Sequence, residues 1–182
     1  MPSSLGYFDD IARIGDAILG SIAGPRRNGG STPYLHVLGE VYDTLAHLHG
    51  LVLGVAARVG ASATHQEAAG ALQSLHGDAL RAVLKTQEMC DELGRLGSLL
   101  QSEHSLPPED QAAWDELRHQ LEDREAGTAR LYDEKLRELR DAPAHVPDLD
   151  ALKQMVKQAA DQLVVQKARF EWLATRARAE LS

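Results

Sequence analysis

One seam of apolar residues constrains the fold of this chain more than any other feature. From Tyr34 to Val59 the positions Tyr34, Leu38, Val41, Leu45, Leu48, Val52, Val55 and Val59 follow one another in unbroken steps of four and three. Such spacing holds one side of an α-helix against a partner over nearly four heptads, so it predicts a helix that packs lengthwise. The composition serves sheets poorly, because aromatics make up only 4% of the chain and its apolar stock is mainly Leu, Ala and Val. The expected fold class is all-α.

The rest of the chain extends that expectation. After the break "GASAT" at residues 60–64, a longer helix is expected over roughly 64–102, with a seam through Leu72, Leu75, Ala79, Ala82, Thr86, Met89, Leu93, Leu96 and Leu100. Leu80, Val83 and Leu84 add a second apolar edge. Pro107 and Pro108 in "EHSLPPEDQ" suit a helix start, with Glu109 and Asp110 favouring its N-terminal dipole. The helix from there to about Arg140 is thinly apolar. After "DAPAHVP", a loop of about six residues, Asp148 can cap a final helix with Leu149, Leu152, Val156, Ala159, Leu163, Phe170, Leu173 and Ala177 on one stripe. Residues 34–182 are therefore expected to form one elongated antiparallel bundle, or coiled coil, of four helices. The main packing seam comprises Leu38, Val41, Leu45, Leu48, Val52, Leu93, Leu96, Leu163 and Phe170.

Ahead of the bundle, residues 1–24 place Tyr7 or Phe8, Ile11, Ile14, Ile18 and Ile22 at helical spacing, which predicts a short amphipathic helix. Residues 25–33, with glycines, prolines, Arg26 and Arg27, predict a flexible loop. Two roles follow for the first helix: a cap on the bundle end, or a segment that lies on a membrane with Arg26 and Arg27 near anionic headgroups.

The net charge of −8 argues against nucleic acid as a partner. That charge is uneven, with six basic and fourteen acidic residues in 103–150 but six and three in 151–182. Packing of the basic last helix against the acidic one before it explains the contrast as readily as a basic binding face does. Cys90 is the single cysteine, so neither an intramolecular disulfide nor a cysteine metal site is expected, and the expected compartment is the cytoplasm. No run of about eighteen apolar residues that could span a bilayer is expected.

Chemistry finds little purchase. Glu116 and His119 have the i, i+3 spacing of di-iron carboxylate bundles, but the second pair that such sites need is missing from the sequence. His47 and His49 point to different faces of a helix, with His47 read as a surface residue. No nucleophile with its base and no phosphate loop stands out, so no catalytic residue, metal or cofactor is expected, and the chain is read as non-enzymatic. Gly20 with Gly24, and Gly50 with Gly54, suggest close helix approach.

Residues 77–154 carry "GDAL" opening a long helix, a proline break at Pro107, "LYDEKLREL" and then "VPDLDALKQ" starting a returning helix. In that order these segments resemble the second helix and tip of BAR domains, the crescent-shaped dimers that bind curved membranes. The resemblance implies a homodimer and an anionic membrane partner. It also implies lipid contact by Lys135, Arg137, Arg140, Lys153 and Lys157 at the tip, with residues 7–22 as an inserted helix. The alternative is a soluble four-helix interaction module whose seams close within one chain. Its N-terminal helix would be releasable and membrane-active, as in HeLo-type bundles.

Overall fold

The computed structural model describes residues 31–77, 80–85, 88, 91 and 128–179. They are all-α, and no strand occurs among them. Four helices are defined: α1 (Ser31–Ala61), α2 (His65–Gln73), α3 (Thr128–His145) and α4 (Leu149–Ala179). Helical backbone also runs through 75–77 and 80–85. The amphipathic segment 1–24, the proline break at Pro107 and the seam residues Leu93 and Leu96 lie outside the described residues.

The structural axis is the pair α1 and α4, each 31 residues or about 46 Å long. They run antiparallel along their length. Gly39 near the start of α1 lies beside Ala174 and Ala177 near the end of α4, and Gly50 lies beside Lys167 further along. All the described seam residues of α1, from Leu38 through Val59, are buried here, as are Leu152, Val156, Leu163, Phe170 and Leu173 of α4. α1 carries Gly39, Gly50, Gly54 and Gly60, each costing about 1 kcal/mol relative to alanine in a helix interior. Its persistence over 31 residues therefore depends on this burial rather than on local propensity.

α2 turns back beside α1. Thr64 caps it: its hydroxyl accepts from the Glu67 N–H at 3.2 Å, and the Glu67 carboxylate accepts from the Ala63 and Thr64 N–H groups at 2.7 and 3.3 Å. Ala68 and Leu72 bury the inner side of α2. α4 opens with Asp148, whose carboxylate accepts from the Ala151 N–H at 2.7 Å. His65 joins the two loops, its Nε2–H donating to the Val146 carbonyl at 2.8 Å.

Several expectations are corrected. α1 begins at Ser31, inside the stretch 25–33 expected as loop, with Pro33 in the first turn, where a missing N–H costs nothing. The helix expected over 64–102 is interrupted at Ser74. There the hydroxyl donates to the Ala71 carbonyl and accepts from Arg58, so the side chain competes with the helical backbone. α3 continues to His145 with Pro143 in its last turn, leaving only 146–148 between helices. Burial of Leu139 and Ala142 holds that turn, and the Val146 N–H closes it on the Ala142 carbonyl at 2.8 Å. Finally, α4 packs chiefly along α1 and only slightly against α3, so among the described residues its basic character is not matched to the acidic segment that precedes it.

His36–Ala61 is long and apolar enough to cross a membrane, where the sequence reading expected no such segment. In the fold its seam is buried against α4 and α2, the position of a core helix.

Candidate interaction surface

The interior that positions the surface centres on Phe170. Its ring is fully buried, stacked on Tyr42 at 5.6 Å and tilted against His49 at 5.5 Å. Tyr42 and His49 are seven residues apart on α1, so Phe170 fills the space between two turns. Gln166, one turn earlier on α4, is also buried. Burial, with Lys167 nearby as a lesser cause, lowers the His49 pKa to about 4, so the imidazole is neutral at pH 7. His47, two residues away, is exposed.

At the far end of the pair, Arg178 of α4 donates to Glu40 at 3.0 Å and Asp43 at 2.5 Å on α1. The hydrogen bond to Asp43, then that to Glu40, raises the pKa of its guanidinium. These carboxylates also line an open groove of about 560 Å³ with His47 and Leu51, faced by Arg81 and Lys85 from the 80–85 segment. Both signs of charge meet there. Among the described residues no group of three or more His, Cys, Asp or Glu is placed to hold a metal.

The five cations expected at the corner do flank it, but four have acidic neighbours on their own helix. Lys135 pairs with Glu138 at 2.7 Å and Arg137 with Asp133 at 2.8 Å. Arg140 clasps Asp141 with two hydrogen bonds of 2.7 and 2.9 Å, which hold the Asp141 carboxyl below its ordinary pKa. Lys157 pairs with Asp161 at 2.5 Å, and Lys153 is half-buried. Arg137 and Arg140 also line a small groove of about 150 Å³ with Leu75, His76 and Leu80. Residues 133–161 carry five basic and seven acidic groups, so the corner is not a basic face. Ile11, Ile14, Ile18, Ile22, Arg26 and Arg27 lie outside the described residues.

Among the described residues Gly54 has no neighbour within 4 Å of an added Cβ and Gly50 meets the end of Lys167, so no close helix approach is shown at either.

The sequence reading passed over the outward side of α4. Gln154, Gln158, Asp161, Val165, Ala168, Trp172, Thr175 and Ala179 repeat in steps of four and three, and all are exposed. Val165 is 70% exposed and Trp172 52%, with Val164 at 53% beside them. The Arg176 guanidinium lies over the Trp172 ring, 5.4 Å from its centroid. The second heptad was legible from spacing alone, but the polar residues at its ends make it a weak signal until the first stripe of α4 is known to be buried. The chain matches no protein-family model, and no curated protein or solved structure matches it.

Proposed function

We propose that this protein is a non-enzymatic helical scaffold that binds a protein partner through the outward face of α4. The observation that carries this reading is the exposed stripe of Val164, Val165 and Trp172 on a helix whose opposite stripe is already committed to α1. Large apolar side chains grouped on one exposed helix face, with a tryptophan among them, have the composition of an interface centre. Site-specific photo-cross-linking in the source cells tests it. A cross-linker at Val165 or Trp172 is expected to give discrete protein adducts, and one at exposed Glu134 none; no adduct at either α4 position refutes the reading.

A membrane-binding form of the scaffold draws on the placement of Lys135, Arg137, Arg140 and Lys157 on both sides of one corner. Each basic residue near an anionic surface contributes about 1 kcal/mol, but the neighbouring carboxylates oppose that attraction. Sedimentation with phosphatidylserine vesicles at low salt separates the two forms. Pelleting that is lost on Lys135→Glu and Arg137→Glu substitution establishes the membrane form; no pelleting leaves the protein-directed one.

A further inference from the structure

The outward stripe of α4 has the pattern of one half of a helix pair, and the chain's own first segment has the pattern of the other half. Tyr7 or Phe8, Ile11, Ile14, Ile18 and Ile22 give residues 7–22 one apolar side at helical spacing, and Asp10 stands at its rim. On α4, Arg169 stands at the rim of the stripe formed by Val165, Ala168 and Trp172, exposed and in no ion pair with a described residue. Viewed along each helix axis, Asp10 lies to one hand of its apolar side and Arg169 to the other. Parallel packing therefore brings the two charges to the same edge of the contact, and antiparallel packing separates them.

We infer that residues 7–22 dock as a helix on the outward face of α4, parallel to it and with Asp10 beside Arg169, and cover that face in the free chain. This rests on the scaffold reading above and adds its control: the partner reaches α4 by displacing the chain's own first segment. The tether imposes the parallel orientation. Gly39 lies beside Ala174, Ala177 and Arg178, so Ser31 stands about 12 Å beyond that level, at the C-terminal end of α4. A segment folding back from there onto α4 has its own C-terminal end, Ile22, at the same end. With Asp10 level with Arg169, Tyr7, Ile11 and Ile14 cover the length from Val165 to Trp172. Ile22 then lies about 5 Å along the axis from the level of Ser31 and about 20–25 Å away around α4, within the roughly 30 Å that residues 23–30 can span. Held by so short a linker, the segment acts at an effective concentration on the order of 1 mM, which a second copy at micromolar concentration does not match.

The test uses the purified full chain at about 1 µM, far below that effective concentration, with a photo-cross-linker at Val165 and peptide mapping of the product. An internal link to residues 7–14 is expected. A link to residues 86–127, a link to a second copy, or no link overturns the inference. In a Trp114→Phe background Trp172 is the only tryptophan, so acrylamide quenching reads its cover directly. Asp10→Arg and Arg169→Asp are each expected to raise the quenching constant of Trp172 about twofold or more, and the double variant to return it close to the starting value. Circular dichroism confirms that each variant is folded. A quenching constant indifferent to both single changes overturns the inference.

Failure of the inference and of the scaffold reading can be told apart. No internal link in the purified chain, with discrete protein adducts at Val165 in the source cells, overturns the cover and leaves the scaffold standing. The internal link without any such adduct in cells sustains the contact between residues 7–22 and α4 and overturns the scaffold reading.

Discussion

His49 offers the most direct check on the buried pairing of α1 with α4. Its ring lies in the interior against Phe170, and its pKa falls from 6.5 to about 4 because burial penalises the charged form. The unfolded chain regains the ordinary value, so below pH 6.5 it takes up a proton that the folded chain refuses. Stability is therefore undiminished above pH 6.5 and is lost progressively as pH falls toward 4. The shift amounts to about 3 kcal/mol when complete, with about 2 kcal/mol already lost at about pH 5. That is a large part of the roughly 5–15 kcal/mol typical of a domain. Urea unfolding followed by helical circular dichroism at a series of pH values, on wild type and His49→Gln, measures it. The variant is expected to be less stable at about pH 7.5 because its amide is a poorer fit beside Phe170, yet to lose about 2 kcal/mol less between there and about pH 5. Parallel pH dependences for the two proteins, or a His49 ring that titrates near its ordinary value by NMR in the folded state, would refute the buried placement.

Other substitutions probe separate parts of the fold. Phe170→Ala removes a fully buried ring that fills the space between Tyr42 and His49, and is expected to cost about 3–5 kcal/mol in urea unfolding. Trp172→Ala, two residues along on the exposed face, is expected to cost under about 0.5 kcal/mol when measured with residues 1–24 removed. Thr64→Ala removes the acceptor of the α2 capping box and is expected to cost about 1 kcal/mol, with Thr64→Ser retaining most of the stability. Gly54→Ala is expected to stabilise by about 0.5–1 kcal/mol, since no described residue lies within 4 Å of the added methyl; a loss of stability would mean that this side of α1 is covered.

The parts of the fold that were readable from sequence are those where one periodicity dominates. The steps through Leu38, Val41, Leu45, Leu48 and Val52 carry no competing signal, and all five are buried. The Asp148 cap was likewise readable, because a carboxylate just before a periodic stripe has one local use. Partner choice was not. α4 pairs with α1, more than a hundred residues away, while a short loop favours the adjacent α3, and no local pattern encodes which of two apolar stripes meets which. Interior polarity was hidden for a related reason. His49 follows the seam residue Leu48 directly and, although it stands four after Leu45 and three before Val52, a polar ring beside a leucine does not read as core until Phe170 arrives from the other helix. Ser74 was missed because a serine that ends a helix by bonding to Arg58 has no composition to distinguish it from one on a helix surface. The outward stripe of α4 became visible only by subtraction, once the inward one was known.

Different kinds of bond lie at the two ends of the α1 and α4 pair, one between α2 and the α3 to α4 loop and the other between α4 and α1. Near the α3 to α4 loop the His65 imidazole holds the Val146 carbonyl, a short-range hydrogen bond to a neutral acceptor that depends only weakly on ionic strength. At the opposite end Arg178 holds Glu40 and Asp43 by exposed charges, which salt screens. Rising salt should therefore loosen the pair directionally, like a seam unpicked from one end, with amide exchange accelerating around Leu38 and Ala177 before it does around Val59 and Val156. The loosened end is also the one to which the first thirty residues are covalently joined, so tension on that segment would be felt first at the weaker fastening.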